Sequence, residues 1–233
     1  MNKNLIYLII FVSMLILGLS FFLSRREELK IEPTVSEAVQ NNNLSVEAPI
    51  TAGLYKASLS ESVINWVGKR PLIEGYVDNG IVSLKDGQAI VAENGITGSF
   101  VIDFNTIKVV NSAKVPEGES RLEQHLKSVD FFDVVKFPEA KFEIIESKKS
   151  DDVLISYMYN IKGKLTIKGI MNEISFPAKI YLKDGKARVE ADIKMDRTKW
   201  GIRFGSGSFF KNLADKIIED EISLHLSLIA ERV

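Results

Sequence analysis

The chain has 233 residues, with 30 Lys+Arg against 31 Asp+Glu, two His and no Cys. A formal net charge of −1 supplies no basic field for holding nucleic acid by its phosphates. Without Cys there is no disulfide framework, Cys nucleophile, thiolate metal site or lipid-modified cysteine, and His125 and His225 alone cannot build an all-imidazole metal site.

Residues 1–4 form a short tail before Leu5–Leu23 (LIYLIIFVSMLILGLSFFL), 19 residues without a charge. As a helix this stretch spans about 28 Å, close to the hydrocarbon thickness of a bilayer. A cleaved signal has a shorter apolar core and a small-x-small exit, whereas Gly18 and Ser20 are followed here by Phe21-Phe22-Leu23. The expectation is an uncleaved transmembrane anchor, with a cleaved signal peptide as the alternative. Lys3 on one side and Arg25, Arg26 and Lys30 on the other leave the positive-inside count equivocal.

Residues 24–50 read as a linker, with two Pro, an Asn triplet, no aromatic residue and no sustained period. As a flexible coil it reaches roughly 30 Å. The first 50 residues hold four basic and five acidic side chains, leaving 26 of each sign for residues 51–233. The folded part is electrically balanced.

From Tyr55 onward the dominant period is two. Phe100, Ile102 and Phe104 share one face, as do Ala140, Phe142 and Ile144. Tyr157, Tyr159, Ile161, Gly163, Leu165 and Ile167 make one face of a long strand. Two further alternating runs cover 174–182 and 187–195, and Ile222, Leu224, Leu226 and Leu228 close the series. Such alternation means one dry and one wet face, the habit of antiparallel sheets. Lys85-Asp86-Gly87, Glu93-Asn94-Gly95 and Lys183-Asp184-Gly185 are hairpin-like joints. Seven or eight strands with a single apolar face predict a sandwich or a closed barrel, and strands as long as 157–168 favour the barrel.

Ser120-Arg121-Leu122-Glu123 has the capping-box pattern, and Leu122, Leu126 and Val129 recur at helical spacing, predicting a helix over 120–130. Phe131-Phe132 follow it, and this unit has the apolar surface to close one barrel end. A second short helix is expected from Phe209-Phe210 to Lys216, entered from the Gly-rich run 201–207.

Several motifs carry a family resemblance: Ser62-Val63-Ile64-Asn65-Trp66-Val67-Gly68-Lys69, Gly98-Ser99-Phe100-Val101-Ile102-Asp103, and His125 to Asp133 with Phe137-Pro138. Gly163-Lys164-Leu165-Thr166-Ile167-Lys168-Gly169 and Asp196-Arg197-Thr198-Lys199-Trp200-Gly201 complete the set. From about Tyr55 to Arg232 the chain resembles the YceI-like family of polyisoprenoid-binding, lipocalin-like bacterial envelope proteins. The resemblance implies a mainly β fold, an eight-stranded antiparallel barrel with one or two short helices. It further implies a pore for an isoprenoid lipid, often one with a quinone-like head, and a working place in the periplasm. Two departures stand out. Many relatives carry a cleaved signal, and a His common after the first strand in this branch has no counterpart in Gly75-Tyr76-Val77-Asp78-Asn79.

The candidate lumen set is Trp66, Phe100, Ile102, Phe104, Leu126, Phe131, Phe142, Leu165, Ile167, Phe176 and Trp200, with the two Trp at barrel ends. Alternation alone leaves open whether these line a pore or fill a core. Arg197 and Arg203 read as exposed or internally paired rather than as headgroup contacts, and Gly205-Ser206-Gly207-Ser208 lacks the ending of a phosphate loop. Neither His has an evident catalytic partner, and the acids are scattered.

The leading expectation is a non-enzymatic carrier of long isoprenoid lipids, without cofactor, held at the inner membrane through residues 5–23 and facing the periplasm. A homodimer is compatible with it. The alternatives are an envelope interaction module with a filled core and, third, an enzyme acting on a quinone-like lipid.

Overall fold

In a computed structural model, residues 46–113, 119–150 and 156–233 are described. The expected span at 5–23 and most of the linker lie outside them. Among the described residues no helix is long and apolar enough to cross a membrane.

Among the described residues ten strands and one α-helix follow in order. They are β1 (Ala48–Pro49), β2 (Gly53–Ala57), β3 (Val63–Lys69), β4 (Val77–Ala92), β5 (Gly95–Asn111), α1 (Glu119–Lys127), β6 (Glu139–Lys149), β7 (Met158–Ile167), β8 (Ile170–Lys183), β9 (Lys186–Asp196) and β10 (Glu221–Arg232). Strands β4 to β10 pair antiparallel in chain order, and the eighth position between β10 and β4 is shared by β2 and β3. Trp66 of β3 lies opposite Gly80 on one side and Leu224 on the other, while Leu54 of β2 lies opposite Ile90. The result is a closed eight-stranded antiparallel barrel, which removes the exposed edges of an open sheet. β1 pairs with β8 just beyond the start of β7, with Pro49 opposite Tyr181.

The barrel has two chemically different ends. At the hairpin end, Asp184 (φ 53°) and Gly185 (φ 76°) turn β8 into β9, both residues in the left-handed region that a tight hairpin of matching twist requires. The Glu93-Asn94 turn joins β4 to β5 there, and the described chain enters at the same end through β1. At the helix end lie α1, the Lys168-Gly169 turn and the loop between β9 and β10. Lys168 donates from Nζ to the Phe131 carbonyl at 2.6 Å, tying that turn to the segment after α1.

Four sequence expectations are corrected here. Lys85-Asp86-Gly87 is no hairpin but an irregularity inside β4, where the register against β5 shifts between Leu84 and Asp86. The inward face runs Gly80, Val82, Leu84 before it and Gly87, Ala89, Val91 after it, because one extra residue changes the parity of every side chain beyond. Helix α1 begins at Glu119 and ends at Lys127, so Ser120 sits within it, and the Glu123 carboxylate accepts the Val109 backbone N–H at 3.0 Å instead of closing a capping box. Val129 lies past the helix and is exposed. The expected helix over 209–216 is reduced to a 3-10 turn at Ala214–Lys216.

Candidate functional site

The inward faces of the strands pack in two clusters but leave space between them. They enclose a cavity of about 520 Å³ whose wall runs from Ile50, Val91, Ile96 and Val189 at the hairpin end to Leu122, Leu126, Phe204 and Ile218 at the helix end. That volume lies within the range of small-molecule sites, and the lining is overwhelmingly aliphatic and aromatic. Ten of the eleven sequence candidates line it: Trp66, Phe100, Ile102, Phe104, Leu126, Phe131, Phe142, Leu165, Ile167 and Phe176.

Trp200 does not. It is 1% exposed, sits in the packed core, and donates its indole N–H to the Leu165 carbonyl at 2.9 Å. A buried indole needs an acceptor, and this one finds it in the backbone of β7.

Glycines set the shape of the wall. The Phe142 ring of β6 lies across Gly163 of β7, where a Cβ would collide with the ring and would stand 2.6 Å from the Glu143 carbonyl oxygen. Trp66 packs over Gly80 in the same manner. Large rings thus fold along the wall at positions where the neighbouring strand has no side chain, which keeps the lumen open.

The polar lining is concentrated at the helix end. Lys69 at the end of β3, Arg70 just after it, Tyr76 just before β4 and Asp78 at its start, Ser112 after β5, and Arg121 and His125 of α1 all contribute. Several of these are partly or fully exposed, so this end is the mouth. Burial pushes the Tyr76 hydroxyl above its ordinary value and the Asp78 carboxylate adds to the shift, while the Arg70 guanidinium lies 4.8 Å over the ring and opposes it. Tyr76 is therefore a neutral hydrogen-bonding group at neutral pH.

Two polar atoms in the lining are buried without a hydrogen-bond partner, Trp66 Nε1 and His125 Nε2. Buried donors and acceptors are nearly always paired. An unpaired indole N–H and an unpaired imidazole nitrogen in one cavity wall suit a ligand that carries a hydrogen-bonding group as well as an apolar body. The His125 ring is also held edge-on by Phe131 at 5.0 Å and Phe204 at 4.5 Å.

Arg197 lines the same end but is fully engaged. Only 2% exposed, it donates to the carbonyls of Glu219 (3.0 Å), Ile202 (2.8 Å) and Ile218 (3.2 Å), and it meets Asp220 at 3.5 Å. Burial lowers its pKa and Asp220 opposes the shift. This is the internal pairing expected from sequence. Arg203 is exposed and lies 4.4 Å over the Phe209 ring. His225 pairs with Asp192 at 2.8 Å across β9 and β10, a carboxylate neighbour that sequence spacing did not reveal, and both sit on the solvent face. Among the described residues no group of three or more His, Asp or Glu could hold a metal ion.

The mouth residues Tyr76 and Asp78 were missed in sequence, although a signal existed. They continue the two-residue period of Gly80, Val82 and Leu84, so the face that lines the lumen extends through them. Lys69, Arg70, Ser112 and Arg121 follow no such period, because they come from the end of one strand, two loops and a helix.

Comparisons with known proteins agree with this architecture. A structure of BcnA from Burkholderia cenocepacia superposes with a TM-score of 0.56 at 18% identity, covering 74% of this chain and 98% of that one. A structure from Saccharophagus degradans, described as a polyisoprenoid binding domain implicated in plant cell wall breakdown, superposes at 0.54 with 12% identity, covering 78% of this chain and all of that one. In sequence, a UPF0312 protein of Yersinia pestis (strain Pestoides F) is 30% identical over 93 residues, 37% of this chain and 46% of the relative. Protein YceI of Salmonella arizonae is 32% identical over 71 residues, 30% of this chain and 35% of the relative. The matched segments thus span less than half the length of these curated relatives. Residues 55–230 match the family model described as YceI-like domain, and the chain belongs to the YceI-like family.

Proposed function

We propose that this protein binds one long apolar lipid of the polyisoprenoid class in its barrel lumen, with the lipid's polar head at the helix end, and carries it without chemical change. The observation that bears most weight is the continuous apolar cavity, which a filled-core interaction module would lack. The two unpaired nitrogens at Trp66 and His125 add a reason for a polar head. The description of the Saccharophagus degradans domain supplies the ligand class.

The energetics suit a carrier. An isoprenoid tail has nothing to hydrogen-bond, so its affinity comes from buried area at about 25 cal/mol per Å². The competing state is a bilayer rather than water, so most of that gain cancels and the lipid can be handed over. Attachment to the inner membrane through residues 5–23, with the barrel on the periplasmic side, belongs to the same proposal and rests on the apolar run and the family resemblance.

The test is a photoreactive prenyl probe offered to the full-length protein, followed by peptide mapping. The expected adducts fall on lumen residues of β5 to β8, such as Phe104, Phe142 and Phe176, and unlabelled polyprenol competes them away. Adducts confined to the outer face, or indifferent to polyprenol, would overturn the proposal.

A further inference from the structure

The loop between β9 and β10 has a composition that the lumen does not explain. Phe204, Phe209 and Phe210 are 42, 46 and 50% exposed. They are the only exposed aromatic rings among the described residues, and they fall within seven positions of one another. Apolar aromatic groups left in water at one spot mark an interaction surface rather than scatter.

The charge of the loop points to the partner. At its base Arg197 pairs with Asp220 and Glu219 adds one negative charge, while the stretch from Lys199 to Lys216 carries Lys199, Arg203, Lys211 and Lys216 against Asp215 alone, in a chain whose overall charge is nearly zero. The near-neutral total hides a local basic surface. Aromatic side chains flanked by Lys and Arg are the combination that lies in the headgroup region of an anionic bilayer, with the rings at the acyl boundary and the cations over the lipid phosphates.

The loop is built to present these rings. Ser206 is fully buried, and the backbone N–H groups of Phe209 and Phe210 donate to its carbonyl at 3.3 and 3.0 Å. Ile218 donates to Gly205 at 2.8 Å, and Glu219 to Lys69 at 2.9 Å, so the loop is fastened beside the end of β3. Its base is held by the Arg197 bonds to the Ile202, Ile218 and Glu219 carbonyls. Phe209 and Phe210 are thus about half exposed on a turn whose base is hydrogen-bonded in place.

Its position adds a second argument. Phe204 lines the cavity and touches His125, so the exposed aromatic surface is continuous with the mouth. Lys69, Arg70 and Arg121 add positive charge at that mouth, against Glu74 and Asp78. The described chain enters the barrel at the opposite, hairpin end. Attachment through the residues before it does not by itself choose which end of the barrel faces lipid.

We infer that the 201–216 loop docks the mouth of the barrel on an anionic phospholipid surface, with Phe209 and Phe210 inserted at the interface and Arg203, Lys211 and Lys216 on the headgroups. This gives the loop a role separate from ligand binding in the lumen. It sets the direction in which the mouth opens.

The absence of Cys makes the test direct. Gly207→Cys, at an exposed position whose added Cβ meets only ordinary contacts with Ile217, takes a spin label near the tip. Glu93→Cys takes one in the exposed turn at the hairpin end. The full-length protein is reconstituted in phosphatidylcholine vesicles with and without phosphatidylglycerol. With the anionic lipid, the label at 207 should lose collisions with a water-soluble nickel chelate several-fold relative to the label at 93, and gain collisions with oxygen. Phe209→Ser with Phe210→Ser should restore the chelate collisions, and Lys211→Gln with Lys216→Gln should weaken the effect.

Equal chelate access at 207 and 93 on anionic vesicles would overturn the inference. So would protection at 207 that appears without lipid, which would mark a protein contact. The readout does not use the lumen, so it fails or succeeds independently of isoprenoid binding.

Discussion

At the scale of single residues, the helix end depends on Arg197. Its guanidinium satisfies three carbonyls and approaches Asp220 in a nearly dry site. Arg197→Met leaves those acceptors unpaired and should cost about 3 kcal/mol, measured as a lower urea midpoint at unchanged slope. Arg197→Lys should recover little of this, since one ammonium cannot reproduce the planar fork. Tyr181 offers a pH test. Burial first, and then the hydrogen bond to Glu190 at 2.6 Å, push its hydroxyl from near 10 up to about 12. The folded pKa lies above the unfolded one, so this contribution to stability is complete below pH 10 and is lost as pH rises from 10 toward 12. Alkaline unfolding of the wild type should therefore steepen in that window, and Tyr181→Phe should flatten it, as followed by tyrosinate absorbance and circular dichroism.

At the scale of elements, the paired strands show what can be read in a sequence and what cannot. On β7 the buried residues Ile161, Gly163, Leu165 and Ile167 follow strict alternation, and the inward face is legible directly. On β4 the extra residue near Lys85-Asp86 resets the parity, and its Asp-Gly pair imitates a turn. The difference is non-local, because only pairing with β5 decides whether an Asp-Gly bends the chain back or bulges it. Division of one barrel position between β2 and β3 is hidden for the same reason. Trp200 departs from its expected place in the lumen because a barrel-end aromatic can face the lumen or the packed core, and the Leu165 carbonyl that accepts its indole N–H lies 35 positions away in sequence. Gly163 gives this scale its prediction. Gly163→Ala places a methyl group against the Phe142 ring and the Glu143 carbonyl, and should cost roughly 1–3 kcal/mol in denaturant titration while driving the ring into the lumen. Prenyl-probe labelling should fall in the same variant.

At the scale of the whole molecule, a cysteine-free chain of near-zero charge builds a barrel with an apolar lumen and one polar, aromatic end. Closure of the sheet removes the edges, α1 and the β9–β10 loop restrict one opening, and the glycines beneath Phe142 and Trp66 keep the centre from filling. These features leave an apolar cavity of about 520 Å³ within an otherwise packed interior. The most direct test of the central claim is to purify the full-length protein in mild detergent, then extract and weigh what the barrel retains by mass spectrometry. One polyisoprenoid chain per protein, displaced by added polyprenol, is the predicted result; an empty barrel, or one holding only bulk phospholipids, would contradict it.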